Sequence, residues 1–207
     1  MSRRSKFRIT GGEFKGRPLF APVDGNTRPM QGSLRELLFN VLRPELDGAH
    51  VLDLFSGTGS VGLEAISRGA ACCTFFEKHR PARRILEKNI NLLGCGPSTA
   101  ILSLDLLRLS EFPETPHAPY DIIFLDPPFR FQDPGSEEDI LPLVHLLLEK
   151  GTVAPGAVLV YQLRKRQFPP ENLHSFRLEK EKQPGSVRLI FYRESGNLED
   201  TPPEPVS

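Results

Sequence analysis

The chain of 207 residues predicts an α/β fold built on a mostly parallel sheet, and three observations carry that reading. Short apolar runs at 50–55, 71–77, 98–104, 121–126 and 157–162 alternate with helix-patterned segments, which implies parallel strands joined by crossovers. The run Tyr120-Asp-Ile-Ile-Phe-Leu125 is apolar on consecutive residues rather than alternate ones, as a strand covered on both faces requires. A tight glycine turn, Ser56-Gly-Thr-Gly59, follows the first run directly. Two further strands, 176–181 and 187–192, flank Gln183-Pro-Gly-Ser186 and are expected to finish a seven-stranded sheet as an antiparallel hairpin.

Each element has a local cause. Residues 7–19 carry short alternating runs broken by Gly11-Gly12 and Gly16, which predicts a small N-terminal β-ribbon. Ser33-Leu-Arg-Glu36 reads as a capping box opening a helix with Leu34, Leu37, Leu38, Val41 and Leu42 on one stripe and Pro44 ending it. Arg35 lies off that stripe and is expected at the surface, within reach of a phosphate. Ser60 to Arg68 forms a helix closed by Gly69, and a second runs from Arg80 or Pro81 to Gly94. Pro113, Pro116 and Pro119 leave room for only a short helix within 106–119. Ser136-Glu-Glu-Asp opens a further helix, which begins near Asp139 so that Pro142 falls in its first turn, and which ends at Gly151. The division expected is a basic appendage over 1–45, the sheet domain over 46–195 and a proline-rich disordered tail over 196–207.

Composition narrows the function classes. The three cysteines include no Cys-x-x-Cys pair, which suits a reduced, cytoplasmic setting with buried thiols. No segment approaches about 20 consecutive apolar residues, so no membrane span is expected. No histidine has a metal-type partner spacing, and no metal is expected. Net charge is zero, but residues 1–17 hold six Arg and Lys against Glu13 alone, which points to a polyanion partner for that end.

The chemistry concentrates at the carboxyl ends of the strands. Asp53, Glu77 and Asp105 stand at or near the ends of the first three, Phe55, Gly57 and Gly59 form the first turn, and Asp126 ends the fourth. Gly57-x-Gly59-x-x-Gly62 with Glu77 some twenty residues on fits two cofactors, because glycines permit close backbone approach and an acid accepts ribose hydroxyls. A dinucleotide would bring its pyrophosphate to a rim crowded with carboxylates. The cationic sulfonium and ammonium of S-adenosylmethionine suit that rim better. In Asp126-Pro127-Pro128-Phe129 the prolines supply no N–H groups, so the carboxylate and adjoining carbonyls form an acceptor-only site fit for an exocyclic amino group. Phe129 offers a face on which its ring could stack.

Ile9-Thr-Gly-Gly-Glu-Phe-Lys-Gly-Arg-Pro-Leu19, Thr27-Arg-Pro29, Arg35-Glu-Leu-Leu-Phe-Asn-Val-Leu42, Val51 through Ala70 and Phe124-Leu-Asp-Pro-Pro-Phe129 together resemble the RsmD family, bacterial methyltransferases of an exocyclic guanine N2 in 16S ribosomal RNA. The likeness spans about Arg8 to Tyr192. It departs at Met30-Gln-Gly, where the family usually has Thr after the Thr-Arg-Pro block. The resemblance implies a class I, Rossmann-like, S-adenosylmethionine-dependent methyltransferase fold. It implies that Asp53, Phe55, Gly57, Gly59, Glu77 and Asp105 hold the cofactor and that Asp126, Pro127, Pro128 and Phe129 hold the base. The partner it implies is 16S ribosomal RNA, within the small subunit or an assembly intermediate.

Lys6, Arg8, Lys15, Arg17 and Arg28 are the expected phosphate contacts, with Arg164-Lys165-Arg166 extending them from the end of the fifth strand. The acceptor cage alone does not name the base, so an adenine-directed methyltransferase on DNA or RNA remains open. A nicotinamide-dependent oxidoreductase and a non-catalytic RNA-binding module are the further rivals.

Overall fold

The computed structural model describes residues 7–21, 30–127 and 140–196. Its eight strands lie in one sheet: β1 (His50–Asp53), β2 (Cys72–Phe76), β3 (Thr99–Leu102), β4 (Tyr120–Leu125), β5 (Val153–Arg164), β6 (Asn172–Leu173), β7 (Phe176–Lys182) and β8 (Val187–Glu194). The order across the sheet is β3-β2-β1-β4-β5-β8-β7-β6. The first five are parallel neighbours and β8 joins β5 antiparallel, with β7 and then β6 beyond it. The eighth strand is only the two residues of β6, so the seven expected strands are the principal ones.

The chain winds outward from β1 to β3 and then returns to lay β4 on the other side of β1. That reversal opens a crevice at the carboxyl ends of β1 and β4, where doubly wound sheets bind ligands. Asp53 pairs in register with Phe124, and the Leu54 N–H donates to the Phe124 carbonyl at 3.1 Å. The end of β1 is therefore tied to the end of β4.

Alternation through the sheet divides the core in two. Val51, Phe75, Ile122, Phe124 and Val160 face α1 (Gly32–Leu42), α2 (Ser60–Ser67) and α3 (Arg80–Leu93). Leu52, Phe76, Ile123, Leu125 and Leu159 face α4 (Leu141–Glu149) and the 106–112 segment. Phe39 of α1 meets Phe124 edge to face, ring centroids 5.9 Å apart. Full burial of side chains of this size contributes roughly 1.5–3 kcal/mol each. Ile9 and Leu19 belong to the same cluster as the first face, so the N-terminal ribbon packs on the sheet's own helices.

Four local expectations change. The ribbon is one antiparallel bridge, Arg8 with Pro18, closed by the Ile9 N–H to the Arg17 carbonyl at 3.0 Å and the Leu19 N–H to the Phe7 carbonyl at 2.9 Å, and Gly12 and Gly16 at positive φ turn the chain early. Ser33 is no cap: α1 starts at Gly32 and makes no side-chain capping bond. Arg35 is 1% exposed rather than on the surface. β5 begins four residues before Ala157 because its pairing with β4 shifts register across Pro155-Gly156, with Gly156 at φ +74°. Pro142 does stand in the first turn of α4, and Gly94 ends α3 at φ +72°. The expected helix start at 136–139 and the tail beyond 196 lie outside the described residues.

Candidate functional site

The glycine turn is shaped by backbone bonds that only a few residue types allow. The Ser56 hydroxyl donates to the Asp53 carbonyl at 2.7 Å, and the Gly59 N–H donates to the Ser56 carbonyl at 2.7 Å. Gly57 and Gly59 take φ +55° and +80°, where a Cβ is strained. A Cβ at Gly59 would also sit 2.2 Å from Leu86 Cδ1 of α3. The turn thus lies flat against α3 and delivers the chain into α2.

Two acids hold the turn from either side. Asp53 is 4% exposed, and its Oδ2 accepts the Gly62 N–H of α2 at 3.2 Å. It serves the start of α2 where Gly59 offers no side-chain cap. Glu77, just beyond β2, accepts the Gly57 N–H at 2.8 Å on Oε2 and the His79 N–H at 2.6 Å on Oε1. Burial raises the Glu77 carboxyl above its ordinary value against the pull of those two bonds. Phe55, half-buried, packs against the face that carries Leu52 and Phe76.

Asp126 stands one residue past β4, close enough that its charge acts on Asp53. Burial first, and then the charges of Asp126 and Glu77, push Asp53 up to about 7 despite the Gly62 bond. Burial alone pushes Asp126 up to about 7, although part of its side chain stays open to the rim. Among the described residues, no Lys, Arg or His pairs with either. Two neighbouring carboxyls with no cation partner among the described residues make this rim receptive to a positively charged ligand.

Asp105 is unlike them. It lies beyond β3, half-buried, and binds Lys78 Nζ at 2.9 Å, with Arg108 Nε at 3.7 Å. The Lys78 hydrogen bond holds its carboxyl below the usual range. Pro127 is buried beside Asp126, while Pro128 and Phe129 lie outside the described residues.

Of the expected phosphate contacts, Arg8, Lys15 and Arg17 are exposed on the ribbon. Lys15 sits at its turn, where the Glu13 N–H donates to the Ser67 carbonyl at 2.7 Å, at the end of α2 away from the glycine turn. Arg164, Lys165 and Arg166 are exposed at the end of β5, on the same edge of the sheet as Asp126. Lys6 and Arg28 lie outside the described residues.

Two organising residues left no mark in the sequence pattern. Asn89 of α3 is fully buried; its Nδ2 donates to the carbonyls of Thr58 at 3.0 Å and Phe20 at 3.2 Å, and its Oδ1 accepts the Phe20 N–H at 2.8 Å. Glu64 of α2 is 0% exposed and accepts the N–H groups of Thr10 and Gly11, the Thr10 hydroxyl, and both Arg35 and Arg68. Arg35 also donates to the carbonyls of Met30 at 2.7 Å and Arg8 at 2.6 Å. An Asn or Glu inside a helical pattern ordinarily reads as a solvated face, which is why neither stood out.

Among the described residues, no group of three or more His, Cys, Asp or Glu is arranged to hold a metal ion, and no helix is long and apolar enough to cross a membrane. The cysteines at 72, 73 and 95 are free and buried.

Comparison with known proteins agrees with this fold. A family described as conserved hypothetical protein 95 matches residues 7–193. The Escherichia coli (strain K12) ribosomal RNA small subunit methyltransferase D is 34% identical over 192 residues, covering 93% of this chain and 92% of that one. The solved structure of yhhF from Escherichia coli superposes with a TM-score of 0.74 at 32% identity, covering 91% of this chain and 98% of that one. An RNA methyltransferase from Salinibacter ruber in complex with S-adenosyl-L-homocysteine shares the fold, with a TM-score of 0.59 at 15% identity, over 87% of this chain and 99% of that one.

Proposed function

This chain belongs to the conserved hypothetical protein 95 family, the RsmD-type methyltransferases, and on that premise we propose that it methylates the exocyclic N2 of a guanine in 16S ribosomal RNA, using S-adenosylmethionine. The observation that carries the reading is the pair Asp53 and Asp126, two carboxyls at adjoining strand ends, without a cation partner among the described residues, beside a glycine turn at positive φ.

The residues present fit the cofactor's chemistry. Among the described residues no cation pairs with Asp53 or Asp126, Glu77 offers acceptors to ribose hydroxyls, and Gly57 and Gly59 leave the backbone open to close approach. Phe55 and Asp105 complete the proposed cofactor set. When bound, S-adenosylmethionine supplies an electrophilic methyl group on a cationic sulfur.

The chain's own groups do the rest. An aryl amine is a weak nucleophile because its lone pair is delocalised into the ring. Hydrogen bonds from the amine to Asp126 and the Pro127 carbonyl favour pyramidalisation and fix the nitrogen in line with the methyl carbon. After transfer, Asp126, poised near 7, accepts the proton the nitrogen releases. The base must leave its stack to arrive there, and Pro128 and Phe129 complete the proposed base-holding set. Arg164-Lys165-Arg166 at the end of β5 hold phosphates beside the base, and Lys6, Arg8, Lys15, Arg17 and Arg28 hold phosphates elsewhere on the same RNA.

The test is incubation of small ribosomal subunits that lack the modification with labelled S-adenosylmethionine, followed by nucleoside analysis. Label in N2-methylguanosine is the expected result. Label in N6-methyladenosine would place the chain among adenine-directed enzymes, and no label in RNA would overturn the reading.

A further inference from the structure

Phe168 is the most exposed of the large apolar side chains named among the described residues, 83% open where Phe20 is 52%. A single exposed Phe ordinarily means little. This one is held in place and set among cations. The guanidinium carbon of Arg188 lies 5.0 Å from its ring centroid. Arg188 is itself oriented by Glu181 at 3.1 Å and by the Gln167 carbonyl at 2.9 Å. Behind the ring, the Gln167 N–H donates to the Arg164 carbonyl and the Lys165 N–H to the Ser186 carbonyl, each at 3.0 Å. One face of the ring therefore meets a guanidinium whose charge Glu181 already balances, and most of the remaining surface is open.

Position supplies the second argument. Leu125 of β4 pairs in register with Tyr161 of β5, so the end of β5 leaves the sheet on the same edge as Asp126. Phe168 follows that end by four residues, separated by Gln167 from the exposed Arg164-Lys165-Arg166. Arginine and lysine beside an open aromatic face match the two chemistries of single-stranded nucleic acid, phosphate and base.

We propose that Phe168, backed by Arg188, is a stacking platform for an unpaired nucleobase of the RNA beside the target, with Arg164, Lys165 and Arg166 on the adjoining phosphates. The proposal rests on the reading of this chain as an RNA methyltransferase and names a part of its substrate site.

The chain contains no tryptophan, so Phe168→Trp places a single tryptophan at the platform, excited at wavelengths its three tyrosines do not absorb. Titrating that full-length variant with a single-stranded RNA oligonucleotide is expected to quench its emission, while inorganic polyphosphate, which has charge but no bases, leaves it unchanged. In methyl transfer to small subunits, Phe168→Ala is expected to raise KM for RNA roughly tenfold or more, with kcat and cofactor affinity unchanged. Phe168→Tyr restores the affinity and Phe168→Leu does not. Equal quenching by RNA and polyphosphate, no quenching at saturating RNA, or a Phe168→Ala KM within twofold of the parent overturns the platform. If the parent transfers no methyl group to RNA, the proposed activity fails, and the quenching titration still decides Phe168.

Discussion

The Arg35 guanidinium and the Glu64 carboxylate meet inside the protein, Nε to Oε2 at 3.3 Å, with 1% and 0% of their side chains exposed. Glu64 also binds Arg68 at 2.8 Å, and the Thr10 and Gly11 amides fill its remaining lone pairs. One buried acid thus joins the ribbon, α1 and α2. Removing one partner of such a pair strands the other charge. Arg35→Ala is expected to lose about 3–5 kcal/mol in urea denaturation and to expose the ribbon to limited proteolysis. A loss under about 1 kcal/mol would show that Arg68 alone satisfies Glu64.

Asp126 is expected to be costly to stability and necessary to turnover. Its carboxyl keeps a proton to about 7 in the folded protein, whereas an unfolded aspartate releases it at about 3.9. Between those values the folded state binds more protons, so this group's contribution to stability falls as pH rises through that window. Asp126→Asn removes the effect. It should match the parent at pH 4 and exceed it at pH 8 by at most about 4 kcal/mol, with methyl transfer lost and cofactor binding weakened far less than transfer. A melting-temperature difference independent of pH would contradict the burial argument, and near-normal turnover would contradict the role.

A cationic ligand beside Asp53 and Asp126 favours their ionised forms and so releases protons on binding. S-adenosylmethionine affinity should therefore rise from pH 6 to pH 8 and level off above the carboxyl values near 7. Calorimetry in buffers of differing ionisation heat measures the protons directly. Affinity that is flat with pH, with no proton release, would remove these carboxyls from the cofactor's surroundings.

Gly62 makes room for the sheet. A Cβ there would stand 2.3 Å from Phe75 Cε1 and 2.5 Å from Cys73 Sγ, so α2 could not rest on β2 at its present depth. Gly62→Ala is expected to lose about 1–3 kcal/mol in denaturation, and Cys73→Ala is expected to recover part of it. No recovery in the double variant would locate the crowding at the Phe75 ring.

The layout of strands and helices was legible because its signals are local. Consecutive apolar residues at 120–125, the glycines after β1, and Pro81 with Gly94 around α3 each specify backbone without help from afar. The rim acids were legible for the same reason, since a strand's end fixes which edge of the sheet an adjoining residue occupies. Arg35 was misplaced because its partner Glu64 lies 29 residues away on another helix, and a charged residue off an apolar stripe normally faces water. Asn89 and Phe168 went unnoticed on similar grounds. What distinguishes them is the company they keep after folding, Thr58 and Phe20 for one, Arg188 for the other.

The Asn89 amide grips the glycine turn at Thr58 and the ribbon's exit at Phe20 with the same planar group. Whatever quiets one of these segments spares the other part of its ordering entropy. Ligands that order the two segments are thereby linked through one side chain, and linkage of this kind runs equally in both directions.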